Sequence, residues 1–222
     1  MAKGVSLLEL PLVNVYLLHN DSEAMLLDSG LYWDRAALDG AIEKALPSGK
    51  GLTGIIQTHG HCDHCGNTAF LSRKYQCPVI CHKDEAEHIE RFVPYGPKGL
   101  RKFGVRGVTF LVGEMVFPVA RCPVERTVSH GDIIPTPIGD LKVIHTPGHT
   151  DGHISLWKED TQWLFSGDAI INVIPFIRKT SLCLPVPLFS VDMEIARSSA
   201  KVLSDLHPSA LFAQHGIPIV NA

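Results

Sequence analysis

Apolar positions along the chain follow two periods, and stretches of the two alternate. Short apolar runs, many rich in β-branched residues, predict strands over residues 12–18, 24–28, 54–58, 78–81, 141–146, 153–157, 163–166 and 210–214. Between them the spacing widens. Residues 34–46 carry apolar side chains at 37, 38, 41, 42, 45 and 46, one stripe on the period of a helix. Residues 67–75, 84–92 and 192–206 read the same way, the last opening on Asp192 as N-cap with acidic residues in its first turn. Strands and helices alternating through both halves predict an α/β fold.

Two stretches break the alternation. Residues 95–125 mix Gly, Pro, aromatic and basic residues, and residues 172–190 are apolar but broken by Phe and Pro. Neither has the composition of a flexible linker. Both adjoin segments rich in His and Asp, so they are expected to be insertions capping a pocket on a single domain over 1–222. The composition, 45% hydrophobic and 19% charged, is that of a globular protein long enough for a sizeable core. A net charge of −3 without a Lys/Arg-rich run gives no field for nucleic acid. The apolar stretch from Val5 to Leu18 is interrupted by Glu9, Pro11 and Asn14, which does not suit a signal peptide. No run approaches the roughly 18 apolar residues of a membrane span. With six cysteines expected to be reduced thiols, these features predict a cytoplasmic protein without nucleic-acid or membrane partners.

Twelve histidines are many for this length, and they cluster. Residues 57–67, QTHGHCDHCGN, interleave two metal-binding patterns. One is H-x-H-x-D-H, from His59, His61, Asp63 and His64; the other is C-x-x-C, from Cys62 and Cys65, with Cys77 and Cys81 following. The first suits an open site of imidazole and carboxylate ligands, which zinc and its first-row neighbours accept. The second suits a structural zinc, an iron–sulfur cluster or a redox dithiol. Further on come HTPGHTDGH at 145–153, LFSGDA at 164–169 and FAQHG at 212–216, each placing a His or Asp beside Gly just beyond an apolar strand.

This ordered set, together with LLDSG at 26–30, resembles the metallo-β-lactamase-fold superfamily, and within it the glyoxalase II-like and lactonase-like hydrolases. The resemblance implies a four-layer αβ/βα sandwich with metals at one edge of the paired sheets. It implies two divalent ions, zinc first and iron or manganese as alternatives. One would take His59, His61 and His149, the other Asp63, His64 and His215, with Asp168 bridging both and Asp28 supporting the metal loop. The implied activity is hydrolysis of an ester, lactone or thioester through a hydroxide shared by the two ions, with Asp63 as ligand and proton shuttle. A single iron on His59, His149 and Asp168 would instead make a sulfur (persulfide) dioxygenase on the same fold.

The long-range partners complete the His/Asp set and offer the cysteines nothing, so Cys62 and Cys65 are expected to be passengers in the loop. His19, His82, His88 and His207 are expected at the surface, His130 in a turn, and His145 or His153 behind the ligands. The substrate is expected to be a small molecule with an apolar portion. Phe92, Tyr95, Phe103, Phe110, Met115 and Phe117 from one insertion, and Ile174, Phe176, Leu188 and Phe189 from the other, would line its pocket or form a homodimer contact. Arg101, Lys102 and Arg106 are expected to be solvated. Two departures bear on specificity. Seven residues follow His215 in the sequence, so the helical extension of glyoxalase II is not expected. Ile171 stands where the acyl-homoserine lactonases place a Tyr.

Overall fold

Several central strands are apolar on both faces, and the layering follows from that. The computed structural model describes residues 3–46, 50–91, 119–173 and 180–220. One six-stranded sheet has the order β1 (Val5–Glu9), β2 (Asn14–His19), β3 (Ala24–Leu27), β4 (Leu52–Ile56), β5 (Val79–His82) and β6 (Arg126–Val128). Its first three strands pair antiparallel and the remainder parallel. The second sheet is built from β7 (Ile133–Thr136), β8 (Gly139–His145), β9 (Ile154–Lys158), β10 (Trp163–Gly167), β13 (Ala210–Ala213) and β14 (Ile219–Val220), with β13 added parallel to β10. Between β10 and β13 in the chain, β11 (Ile171–Val173) and β12 (Thr180–Cys183) form a hairpin.

Alternate residues of each strand face opposite layers. Tyr16, Leu18, Leu27 and Ile56 meet Val143, Leu156, Phe165 and Phe212 between the sheets. On the outer face of the first sheet, Leu17, Leu26 and Ile55 pack on Leu38 and Ile42 of α1 (Arg35–Ala45) and Leu71 of α3 (Thr68–Tyr75). On the outer face of the second, Ile144, Trp157, Leu164 and Leu211 pack on Leu203 of α5 (Met193–Ser204). The result is the expected four-layer αβ/βα sandwich. Asp192 caps α5 as expected, accepting the N–H groups of Glu194 and Ile195. Two shorter helices, α2 (Cys62–Cys65) and α4 (Lys83–Arg91), follow β4 and β5.

The strands β3, β4, β8, β10 and β13 all end at one edge of the sandwich. There the sheets are pinned together. Thr58 O accepts the Ile154 N–H at 3.0 Å, Gln214 O accepts the Asn14 N–H at 2.6 Å, and the Tyr16 hydroxyl donates to Ala213 O at 2.6 Å. Loops leaving this edge therefore start from a rigid frame.

Differences from the expected elements have local causes. Pro11 splits the first apolar run, and the chain turns through a Leu10 N–H to Val13 O bond to make β1 and β2 antiparallel. β7 carries Pro135 at the sheet edge, where a missing donor is tolerated and no clean pattern survives. β6 and β14 are too short to show a period. His82 and His88 are buried, not on the surface, because β5 and the inner face of α4 turn inward there. Among the described residues no helix is long and apolar enough to cross a membrane. Of the expected pocket-capping residues, 92–118 and 174–179 lie outside the described residues, as does the side chain of Leu188.

Candidate metal centre

The residues singled out in the sequence meet at the pinned edge. His59, His61 and His149 form one group, Asp63, His64 and His215 another, and each group's potential ligand atoms lie within 4.8 Å of one another. His59 and His61 leave β4 on an extended loop, the four-residue α2 presents Asp63 and His64, and the loops after β8, β10 and β13 supply His149, Asp168 and His215.

The hydrogen bonds fix which nitrogen of each ring is free. The Thr58 hydroxyl donates to Asp28 Oδ2 at 2.8 Å, so its oxygen accepts from His59 Nδ1 at 3.0 Å and leaves Nε2 with a lone pair. Ser190 donates to Val186 O, so it accepts from His149 Nδ1 at 3.1 Å. His64 Nδ1 donates to Asp28 Oδ2 at 3.0 Å, and His215 Nδ1 donates to Leu12 O at 2.7 Å. In all four rings Nε2 is the atom turned to the centre. His61 presents Nδ1, which lies 3.0 Å from His59 Nε2. Asp168 sits between the groups. Its Oδ2 is 3.4 Å from His149 Nε2 and 3.3 Å from His215 Nε2, and its Oδ1 is 3.5 Å from His64 Nε2.

Three of these atoms, His64 Nε2, His149 Nε2 and Asp168 Oδ1, are buried without a hydrogen-bond partner among the described residues. Buried polar atoms in that state cost about 1–3 kcal/mol each, which a cation between them would recover. The ring arrangement agrees. The rings of His59, His61 and His149 are mutually 4.6–4.7 Å apart and nearly perpendicular, at 79–90°, so their in-plane lone pairs converge. A further cluster, His82, Asp84 and His145, also brings three ligand atoms together. There the rings are parallel, 4.2 Å apart at 9°, so the lone pairs run side by side and do not meet on one ion.

Protonation divides the centre. Burial, reinforced by neighbouring imidazoles, pushes His59 and His61 well below the ordinary histidine value, and burial takes His149 down to about 3. Burial acts the same way on His64 and His215, but Asp168 and Asp63 overcome it. His64 is raised well above its ordinary value and His215 to about 10. Reciprocally, and again against burial, His64 and His215 draw the Asp63 and Asp168 carboxyls down.

The supporting residues were less legible. Asp28, expected behind the loop, is buried in a left-handed conformation (φ 62°), and its Oδ1 also accepts the Thr58 N–H at 2.8 Å. Of the two histidines flanking the third motif, His153 is the one behind a ligand: its Nε2 accepts the Asp168 N–H at 2.9 Å. Thr58 and Ser190, which orient the His59 and His149 rings, carry no mark in their local sequence. The six cysteines are thiols, and none belongs to a metal-holding group among the described residues. Burial raises Cys77 and Cys122 to about 11, against thiolate ligation.

A profile of the Metallo-beta-lactamase superfamily matches residues 9–215. The chain belongs to the metallo-beta-lactamase superfamily. It is 32% identical over 232 residues to the probable metallo-hydrolase YflN of Bacillus subtilis (strain 168), covering 98% of this chain and 86% of the relative. It is 30% identical over 122 residues to the hydroxyacylglutathione hydrolase of Bdellovibrio bacteriovorus, covering 55% of this chain and 36% of that protein. The fold is shared with the crystal structure of the metallo-beta-lactamase family protein TTHA1429 from Thermus thermophilus, with a TM-score of 0.70, 22% identity, and coverage of 99% of this chain and 76% of that one. Metallo-beta-lactamase superfamily proteins are metal-dependent, and the His/Asp groups here have the geometry that could hold a metal ion.

Proposed function

We propose that the protein is a hydrolase that uses two divalent ions, zinc or alternatively iron or manganese, to cleave an ester, lactone or thioester with a partly apolar remainder. The observation that carries this is the pair of convergent ligand groups with three buried ligand atoms between them that have no hydrogen-bond partner among the described residues. His59, His61 and His149 would hold one ion, Asp63, His64 and His215 the other, and Asp168 both. Relatives named as a probable metallo-hydrolase and a hydroxyacylglutathione hydrolase support the reaction class. Bound in such a pair, divalent ions supply an activated water at neutral pH and polarise a carbonyl.

The chain's own residues hold and orient. Thr58, Ser190, Asp28 and Leu12 O keep the four Nε2 atoms aimed inward, and His153 holds the backbone of Asp168. The Asp63 side chain is 27% exposed, against 8% or less for Asp168, His64 and His215, so it faces the open side. Kept ionised by His64 and His215, it is placed to accept a proton there and return it to the leaving group. No Ser or Cys nucleophile is required.

The test is a panel of lactones, thioesters and aryl esters with protein purified without added metal and then reconstituted. Near two zinc-like ions per chain with turnover of one substrate class is expected. No hydrolysis after reconstitution overturns the proposal. One iron per chain with oxygen uptake would identify the dioxygenase instead; the complete Asp63, His64 and His215 group favours the two-ion reading.

A further inference from the structure

Glu85 lies on α4, a helix that carries none of the candidate ligands, yet its side chain is fully buried and touches the two loops that carry three of them. Its Oε2 accepts the N–H of Gly60, the residue between His59 and His61, at 3.0 Å. Its Oε1 accepts the Thr150 hydroxyl at 2.6 Å and the Gly152 N–H at 2.9 Å, directly after His149. One carboxyl group thus joins a loop of the first sheet to a loop of the second. Gly152 is part of the fit: a Cβ there would lie 2.8 Å from Glu85 Cγ and 2.9 Å from Oε1. A side chain at 152 would displace the carboxyl group and press on the Glu85 backbone N, also 2.9 Å away.

We propose that Glu85 is a positioning residue that sets the His59, His61 and His149 half of the centre, and that half alone. The inference rests on the metal-holding reading above. The three ligands of that half come from the two loops Glu85 joins, and their lone pairs must meet at one point to bind an ion tightly. The other half is anchored elsewhere: His64 on Asp28, His215 on Leu12 O, and the backbone of Asp168 on His153. Removing the clip lets the two loops separate without disturbing those anchors.

The test is Glu85→Gln, which keeps the volume but sets an amide NH2 against one of the two loops. Zinc binding is followed in two steps by competition with a chromogenic chelator. A crystal at limiting zinc then shows by anomalous scattering which half is filled. One step is expected to weaken about 10–100-fold and the other to stay within twofold, with zinc retained at Asp63, His64 and His215. If Glu85→Gln does not fold, Gly152→Ala perturbs the same contact from the other side and is read the same way. Two unchanged steps, two equally weakened steps, or loss of zinc from the Asp63 half would each overturn the proposal. Wild-type protein that binds no zinc would overturn the metal reading itself, a separate result.

Discussion

Asp28→Asn isolates the tautomer control of the centre from its shape. Asn is close to isosteric and is among the side chains that tolerate the left-handed backbone held at position 28 (φ 62°), so the turn itself is preserved. What changes is polarity. The carboxylate accepts three bonds, from the Thr58 N–H, the Thr58 hydroxyl and His64 Nδ1. An amide whose oxygen stays on the Thr58 N–H turns its NH2 toward the other two. If it donates to Thr58, the hydroxyl hydrogen swings to His59 Nδ1 and moves that ring's proton to Nε2. If it donates to His64 Nδ1, the same happens there. Either way the neutral ring is held as the tautomer that turns its proton, not its lone pair, toward the centre. Bonds to a charged acceptor are worth about 1.5–3 kcal/mol each. Losing two and regaining one weaker bond leaves a net cost of roughly 2–5 kcal/mol in the metal-free protein. For a chain of this size that is a fall of about 5–15 °C in melting temperature. Zinc affinity should fall about 10–100-fold, as for other residues that orient metal ligands. Chelator competition and thermal unfolding of the metal-free protein measure the two effects. Native zinc affinity at both steps in Asp28→Asn would refute the reasoning.

Two further substitutions address other parts of the centre. Gly167→Ala places a Cβ 2.4 Å from His153 Nε2 at a backbone with φ 56°; it is expected to cost more than ~2 kcal/mol in denaturant unfolding and to weaken zinc binding, by displacing the ring that holds Asp168. Asp63→Asn should lower kcat on the best substrate of the panel by about 10²–10⁴-fold with two ions still bound; metal analysis alongside the rate measurement checks both, and unchanged turnover would remove Asp63 from the proton pathway.

The candidate ligands were legible in the sequence because coordination demands particular atoms. Only His, Asp, Glu and Cys offer them, and a run such as HGHCDH stands out wherever it falls. The strands that aim these ligands were legible for a related reason: burial on both faces leaves continuous apolar runs, as in Asn14–His19 and Ile154–Lys158. Residues that hold the ligands carry no such mark. Glu85 reads in sequence as an ordinary acidic residue in the first turn of a helix, and its contacts with Gly60 and Thr150 exist only once the two sheets are stacked. Ser190 lies 41 residues from His149, at the end of a stretch whose composition predicts no element. His82 ends β5 and His88 adjoins Ile89 on the buried face of α4, and a polar side chain at either position gives no sign in sequence that the packed layers cover it.

The two halves of the centre differ in charge state, and that difference predicts how they fill. His59, His61 and His149 are held well below their ordinary value, burial being the largest cause, so at pH 6–8 they are already neutral and a cation displaces no proton from them. His64 and His215 are opposite. Despite burial, Asp168 and Asp63 raise both, His215 to about 10, so over the same range each carries a proton that must leave before its Nε2 can bind. Apparent affinity then falls about tenfold per displaced proton per pH unit. The half built on His64 and His215 should therefore weaken by up to about 100-fold for each unit of acidification, while the three-histidine half changes little until its own rings begin to titrate. At a fixed free zinc concentration, lowering the pH from 8 to 6 should empty the half built on His64 and His215 before the three-histidine half. Calorimetric titrations in buffers of different ionisation enthalpy should show proton release on one step only. Equal pH slopes at the two steps, or proton release confined to the half left intact by Asp63→Ala and His215→Ala together, would show that the division is not present in the protein.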